Sequence, residues 1–214
     1  MISPTLSRAY ATSAADDDKE DNSDNKEENG RKGGQGPQIG QILFQQRTIL
    51  LIGEIEMKVA REFSAHLLAL AAEGDDPIKI IINSPGGHVE SGDTIADLMR
   101  FVKPTIKVLG TGWVASMGAH IFLAADKKHR YCLPNTRFML HQPLGGVGGK
   151  AVDIDIEARE IIKMRRRINE TIAKETGQPI EKVEKDTDRN YWMSAQEAKD
   201  YGVVSHIITS QSKF

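Results

Sequence analysis

The sequence GTGWVASMGAH at residues 110–120 joins a predicted β-strand at 106–109 to a helix of small residues, which places Ser116 at the N-terminus of that helix. Free backbone N–H groups and the positive end of the helix dipole favour an oxyanion at such a position. Small residues on either side of the serine leave room for a substrate chain to approach. Ser116 is therefore a candidate nucleophile, with a structural serine at a helix start as the alternative when this stretch is taken alone.

The same alternation of strand and helix continues on both sides of this stretch. Segments of helical period at 59–72 and 93–102 separate short apolar runs that are rich in Ile, Val and Leu. This alternation predicts an α/β fold with a parallel sheet and crossover helices. The apolar runs are TILLIG (48–53), IKIIIN (78–83), TIKVLG (105–110) and RFMLH (137–141).

Two further motifs suit the remaining parts of a hydrolase site. INSPGGH at 82–88 places a glycine turn after an apolar strand, where it can offer N–H donors from the side opposite the serine. FMLHQPLGG at 138–146 puts His141 at the end of an apolar strand, and a serine hydroxyl needs such a base at neutral pH. We interpret the other histidines as structural or surface residues: His66, His88, His120, His129 and His206.

INSPGG, ASMGA and LHQP, in this order, resemble the proteolytic subunit of the Clp protease family, a serine endopeptidase, over residues 41–209. The resemblance implies a crotonase-like and Clp-like β-α-β superhelix with a protruding handle helix. It also implies that Ser116 attacks the peptide bond and that His141 acts first as base and then as acid. The backbone N–H groups of Gly87 and Met117 are the implied oxyanion donors.

Position 190 departs from the family, whose usual residue there is an aspartate that orients the histidine. Asn190 can accept a hydrogen bond from the imidazole, but it offers no negative charge to the imidazolium that forms as the serine attacks. In another serine protease the same exchange lowers turnover roughly 10⁴-fold, which is about 5–6 kcal/mol of barrier. We predict Asn190 as the partner of the histidine, as in a divergent second paralogue of the family, with Asp186 and Asp188 as alternative sources of a carboxylate.

The resemblance further implies a tetradecamer of two stacked heptameric rings, built from this chain alone or with a paralogue. Asp188 and Arg189 match family residues at the contact between rings. In the family, AAA+ unfoldases use ATP to feed unfolded protein into the chamber, whereas this chain has no GxxxxGK[ST] loop and is expected to need no cofactor. Lys79 and Ile81 stand where aromatic residues commonly line the unfoldase-docking cleft, so an unfoldase partner is left open.

Residues 151–176 form a predicted long amphipathic helix that Gly177 and Pro179 terminate. The flexible sequence GGVGG at 145–149 precedes it. Two interpretations are open. The helix either packs on its own sheet or, as the resemblance supports, forms a handle that packs against a second ring.

The N-terminal residues 1–38 are predicted to be a disordered acidic tail in front of a peptidase domain at 39–214. From residue 15 onwards the tail is rich in Asp, Glu, Asn and Gly, and it has no apolar residue that could anchor it to a core. A solvated tail is the favoured interpretation, and a flexible gate or docking segment is the alternative.

Composition narrows the possible partners. The 28 basic and 30 acidic residues give a net charge of −2, so nothing favours binding to nucleic acid or to an anionic membrane. The sequence contains a single cysteine, Cys132, which excludes an intrachain disulfide and suits the cytoplasm. We interpret this cysteine as a buried thiol and not as a rival nucleophile. The sequence contains neither CxxC nor HExxH, which argues against a metal site, and it has no apolar run of the roughly 18 residues that a membrane helix needs.

Two other functions stay open. The amide at position 190 and the altered docking positions suit a weakly active or inactive ring subunit that regulates a typical paralogue. An acyl-CoA hydratase or isomerase of the related crotonase architecture is the third interpretation. It is less favoured, because ASMGA together with LHQP fits acyl transfer to a serine better.

Overall fold

The computed structural model describes residues 39–143 and 148–214. The acidic tail predicted at 1–38, and most of the GGVGG sequence, lie outside the described residues, so both remain predictions. A short helix, α1 (Ile39–Gln45), belongs to a unit that ends at Gln46. All the other elements belong to a second unit, Arg47–Phe214, which contains the candidate site.

The described part of the second unit is built on one sheet of seven strands: β1 (Thr48–Ile52), β2 (Ile78–Ser84), β3 (Ile106–Ala115), β4 (Arg130–Cys132), β5 (Arg137–Leu140), β6 (Tyr191–Met193) and β7 (His206–Ile207). Their order is β1-β2-β3-β4-β7, with β5 beside the end of β3 and β6 beside β5. All pairs are parallel except β5 and β6. The predicted α/β fold with a parallel sheet is therefore confirmed.

Six α-helices in the described part of this unit connect and cover the strands: α2 (Met57–Glu73), α3 (Val89–Phe101), α4 (Met117–Phe122), α5 (Ala151–Thr176), α6 (Ile180–Asp186) and α7 (Ala195–Tyr201). The helices predicted at 59–72 and 93–102 are α2 and α3. The second begins earlier than its apolar period indicates because His88 caps it, with Nδ1 accepting the N–H of Ser91 across 3.3 Å.

The core lies where the apolar faces of the strands meet the helices. Ile78, Ile80 and Ile82 alternate along β2 and are fully buried, as period 2 requires of one face of a strand. From α2, Leu67 and Leu70 lie on one helical face and are equally buried. Each such side chain contributes about 1.5–3 kcal/mol of transfer free energy to the stability of the sheet that carries the site.

The two halves of α5 differ in environment. The helix has the bounds expected from the sequence and ends at Gly177, whose φ of +82° lies in the left-handed region. Ile168 and Ile172 in its C-terminal half are buried, whereas Val152 and Ile156 in its N-terminal half are 71% and 51% exposed. The C-terminal half therefore packs on its own chain, and the N-terminal half leaves apolar side chains uncovered.

An irregularity in β3 positions the end of this strand. The sequence indicates a strand at 106–109 followed by a glycine turn, but the strand continues to Ala115. Its register with β2 shifts where Gly112 adopts φ +58°, and Asn83 Oδ1 accepts the N–H of Trp113 across 3.3 Å. Past this bulge β3 pairs with β5, so the ends of both strands lie side by side.

Candidate active site

Ser116 occupies a strained turn between β3 and α4. Its φ of +54° and ψ of −123° are uncommon for a residue with a side chain and cost on the order of 1–3 kcal/mol. The surrounding backbone holds this conformation, because the Ser116 N–H donates to Met139 O across 2.9 Å and its carbonyl accepts the N–H of Ala119 across 3.0 Å. Ser116 is therefore held at the junction between the strand and the helix.

The glycine turn after β2 packs directly against this serine. A Cβ atom on Gly86 would lie 2.5 Å from Ser116 Cβ, and one on Gly87 would lie 2.2 Å from Ile55 O. Both glycines also have positive φ, of +99° and +147°. The turn therefore reaches the serine only because neither position carries a side chain.

Ser116, His141 and Asn190 form one chain of hydrogen bonds. Ser116 Oγ lies 2.8 Å from His141 Nε2, and His141 Nδ1 lies 3.0 Å from Asn190 Oδ1. Because an amide oxygen only accepts, Nδ1 carries the ring proton and Nε2 is free to accept the serine proton. This is the tautomer that a general base requires.

The pairing of β5 with β6 explains why position 190 meets the histidine. Leu140 pairs with Tyr191 in this antiparallel ladder, so the residues just beyond, His141 and Asn190, face each other. The sequence alone could not establish this register, since β6 is three residues long and follows a helix.

The two alternative carboxylates, Asp186 and Asp188, contact residues other than His141. Asp186 accepts the hydroxyl of Tyr201 across 2.9 Å, and Asp188 Oδ1 lies 3.4 Å from Arg165 Nη2. Neither carboxylate contacts His141 within the described residues. Arg189, whose side chain is 87% exposed, lies beside Asp188 on the surface.

A cavity of about 230 Å³ opens beside the nucleophile, and its walls include Ser116, His141, Gly87 and Met117. The N–H groups of Gly87 and Met117 have no hydrogen-bond partner among the described residues. They flank the serine from two sides, one on the turn after β2 and the other at the start of α4. This arrangement suits an oxyanion.

His120 is a wall residue of the same cavity, although its sequence context indicates only a structural histidine. It follows Ser116 by four positions, so it lies one helical turn along α4 and is 4% exposed. That spacing is the signal that could have indicated its location. The other histidines do not line this cavity, His141 excepted.

Cys132 is fully buried in β4 and does not line the cavity. Burial raises the pKa of its thiol to about 12, which suppresses the thiolate that a nucleophile needs. In residues 39–143 and 148–214, no group of three or more His, Cys, Asp or Glu side chains could hold a metal ion. No helix in the same residues is long and apolar enough to span a membrane.

Comparisons with known proteins identify the family of this chain. Residues 31–211 match the model of a family described as Clp protease. The chain is 58% identical over 170 residues to the ATP-dependent Clp protease proteolytic subunit 3 of Rhizobium etli, a match that covers 79% of this chain and 88% of that protein. It is 62% identical over 173 residues to the proteolytic subunit 2 of Gluconobacter oxydans, a match that covers 80% of this chain and 78% of that protein.

Two solved structures of ClpP1 from Listeria monocytogenes are also similar. One matches with 54% identity and a TM-score of 0.75 over 82% of this chain and 98% of its own. The other is a mutant in which one asparagine is replaced by aspartate, and it matches with 54% identity and a TM-score of 0.77 over 81% of this chain and 98% of its own.

Proposed function

Since the chain belongs to the Clp protease family and is a proteolytic subunit of the ATP-dependent Clp protease, with the serine peptidase activity of that family, we propose that Ser116, His141 and Asn190 are its catalytic residues. The observation that carries the proposal is the 2.8 Å contact between Ser116 Oγ and His141 Nε2. A nucleophile and a base at this distance are what acyl transfer to serine requires.

In the proposed reaction, His141 Nε2 takes the proton of Ser116 Oγ as the oxygen attacks the peptide carbonyl. The carbonyl oxygen becomes an oxyanion, which the N–H groups of Gly87 and Met117 stabilise. The C–N bond then breaks, and the leaving amine takes the proton back from Nε2. A water molecule hydrolyses the acyl-serine by the same two transfers.

Asn190 fills only part of the role of an aspartate. Its amide oxygen holds Nδ1–H and so fixes the tautomer, but it carries no charge to stabilise the imidazolium in the transition state. We therefore expect a peptidase whose turnover is low for its fold. A subunit that mainly regulates a more active paralogue is the second candidate, and the neutral partner of His141 is the observation that favours it.

We further propose that this subunit assembles into stacked heptameric rings, with itself or with a paralogue. The exposed apolar side chains in the N-terminal half of α5 support a contact there, since uncovered apolar area of this kind marks an interface. Asp188 and Arg189, both accessible, are the proposed polar contact between rings. In this assembly a partner AAA+ unfoldase would use ATP, and the chain itself would need no cofactor.

The test is cleavage of a fluorogenic peptide by the assembled protein, with Ser116→Ala as control and a serine-directed phosphonate as an independent readout. We expect slow cleavage that is lost in Ser116→Ala, and covalent labelling of Ser116. Absence of both signals in particles whose assembly is verified by sedimentation would refute the peptidase proposal and favour the regulatory one. Mixing with a paralogue whose own serine is inactivated tests whether activity needs a heteromeric particle.

A further inference from the structure

Three helices bring charged and polar side chains together behind the candidate site. Asp93 on α3 receives both ends of the Arg167 guanidinium from α5, with Nη1 to Oδ1 at 3.0 Å and Nη2 to Oδ2 at 2.6 Å. His120 on α4 approaches the same carboxylate, with Nε2 to Oδ1 at 3.5 Å. The proposed catalytic steps use none of these three residues.

The carboxylate in this cluster is anionic at neutral pH. Burial by itself would raise the pKa of Asp93, but the hydrogen bonds from His120 and Arg167, together with the charge of Arg167, outweigh it and hold the pKa well below its usual range. In the neutral imidazole, a carboxylate oxygen 3.5 Å from Nε2 favours the tautomer with its proton on that nitrogen. Nδ1 of His120 then presents a lone pair.

That lone pair has no partner. His120 Nδ1 is buried and makes no hydrogen bond with any of the described residues, although the side chain lines the cavity beside Ser116. Buried polar atoms are nearly always paired, so an unpaired one in the wall of a binding cavity calls for a ligand atom.

The rest of this wall is mostly apolar. Its remaining side chains include Val89, Met117, Leu140, Pro143, Ile168 and Ile172. A substrate side chain that enters here meets aliphatic groups along most of its length and one hydrogen-bond acceptor. The matching chemistry is an apolar stem with a neutral N–H donor at its end, and glutamine has this combination.

We propose that His120 is a specificity-determining residue that favours glutamine in the substrate residue whose carbonyl Ser116 attacks, by accepting a hydrogen bond at Nδ1 from the glutamine amide. Asp93 and Arg167 are positioning residues that hold its tautomer. The inference rests on the proposed peptidase function. Glutamate, of the same shape, is disfavoured, because its carboxylate would face a lone pair with the Asp93 charge behind it.

The test compares three peptides that differ only at this residue, which is glutamine, methionine or glutamate. Methionine has nearly the shape of glutamine without the donor. In the wild-type particle we expect kcat/KM for glutamine to exceed that for methionine by about 5–10-fold, the size of one net hydrogen bond, and glutamate to be cleaved slowest. In His120→Leu the order of glutamine and methionine should reverse, whereas His206→Leu, outside the cavity, should keep the wild-type order.

Phosphonate labelling of Ser116 distinguishes a failure of the proposed role of His120 from a failure of the proposed peptidase function. Labelling with no preference for glutamine over methionine in the wild type would overturn the role of His120 and leave the peptidase proposal standing. No labelling and no cleavage would reject both. The wild-type comparison needs no variant, so the inference stays testable even if His120→Leu fails to fold.

Discussion

His141 Nδ1 lies 3.0 Å from Asn190 Oδ1, so a neutral amide holds the imidazole in the position and tautomer that a base requires. The hydrogen bonds that connect Ser116, His141 and Asn190 are therefore in place, but the partner of His141 carries no negative charge. Since the amide and a carboxylate have nearly the same shape, the effect of charge on this site can be measured without moving any atom of the backbone.

Asn190→Asp is expected to raise kcat, because a carboxylate against Nδ1–H stabilises the imidazolium of the transition state. The opposite exchange in a related mechanism costs roughly 10⁴-fold, and solvent around the exposed Asn190 weakens the effect here, so we expect an increase of about 10–1,000-fold. Steady-state cleavage of a fluorogenic peptide measures it. Asn190→Ala, which removes the hydrogen bond without adding charge, should lower kcat, and an unchanged rate in Asn190→Asp would exclude a limiting role for this position.

Gly86→Ala is expected to abolish peptide cleavage, because its Cβ would lie 2.5 Å from Ser116 Cβ and 2.9 Å from Met117 N. Gly53→Ala is the matched control. Gly53 has φ +96° against +99° for Gly86, but open space surrounds its Cβ position. Both variants should lose about 1–2 kcal/mol of stability through backbone strain, and only Gly86→Ala should also lose activity. Equal activities in the two would mean that the turn can move away from the serine at no cost.

Cys132 is expected to be unreactive in the folded protein, since it is fully buried and burial raises the pKa of its thiol to about 12. Iodoacetamide at pH 8 should label the folded chain at least about 100-fold more slowly than the chain in urea. Mass spectrometry of quenched samples gives both rates. Rapid labelling of the folded protein would contradict the interpretation of this residue as a buried thiol.

The fold, and the positions of Ser116 and His141 in the candidate site, could be predicted because short stretches of the sequence indicate them. Apolar runs of strand length identify β1, β2 and β5, and Gly177 marks the end of α5. Ser116 and His141 each follow an apolar strand within a short motif, so the parallel sheet necessarily places them at the same edge.

The remaining parts of the site depend on contacts between distant segments. Glycine at 110 and 112 indicates a turn, yet β3 continues through both because Asn83 satisfies the backbone at the bulge. The position of Asn190 follows from the register of two short strands, and the contacts of His120 follow from the packing of three helices. The four-residue spacing from Ser116 could have placed His120 near the cavity, but neither the strand register at Asn190 nor the contact of His120 with Asp93 leaves a pattern in the sequence.

Asp93→Asn is expected to lower stability by about 1–2 kcal/mol near neutral pH, because it removes the charge that pairs with Arg167 and His120. The folded-state pKa of Asp93 lies below its ordinary value of 3.8, so the ionised form stabilises the fold. This contribution is fully present above pH 3.8 and is lost as the pH falls towards the folded-state value. The difference in urea midpoint between wild type and Asp93→Asn, at one protein concentration, should therefore shrink as the pH falls below 4. Asp97→Asn on the same helix, whose side chain is 79% exposed, should show almost no difference at any pH. A difference for Asp93→Asn that grows as the pH falls below 4 would show that this carboxylate is protonated in the folded protein, and the lone pair assigned to His120 Nδ1 would then lose its support.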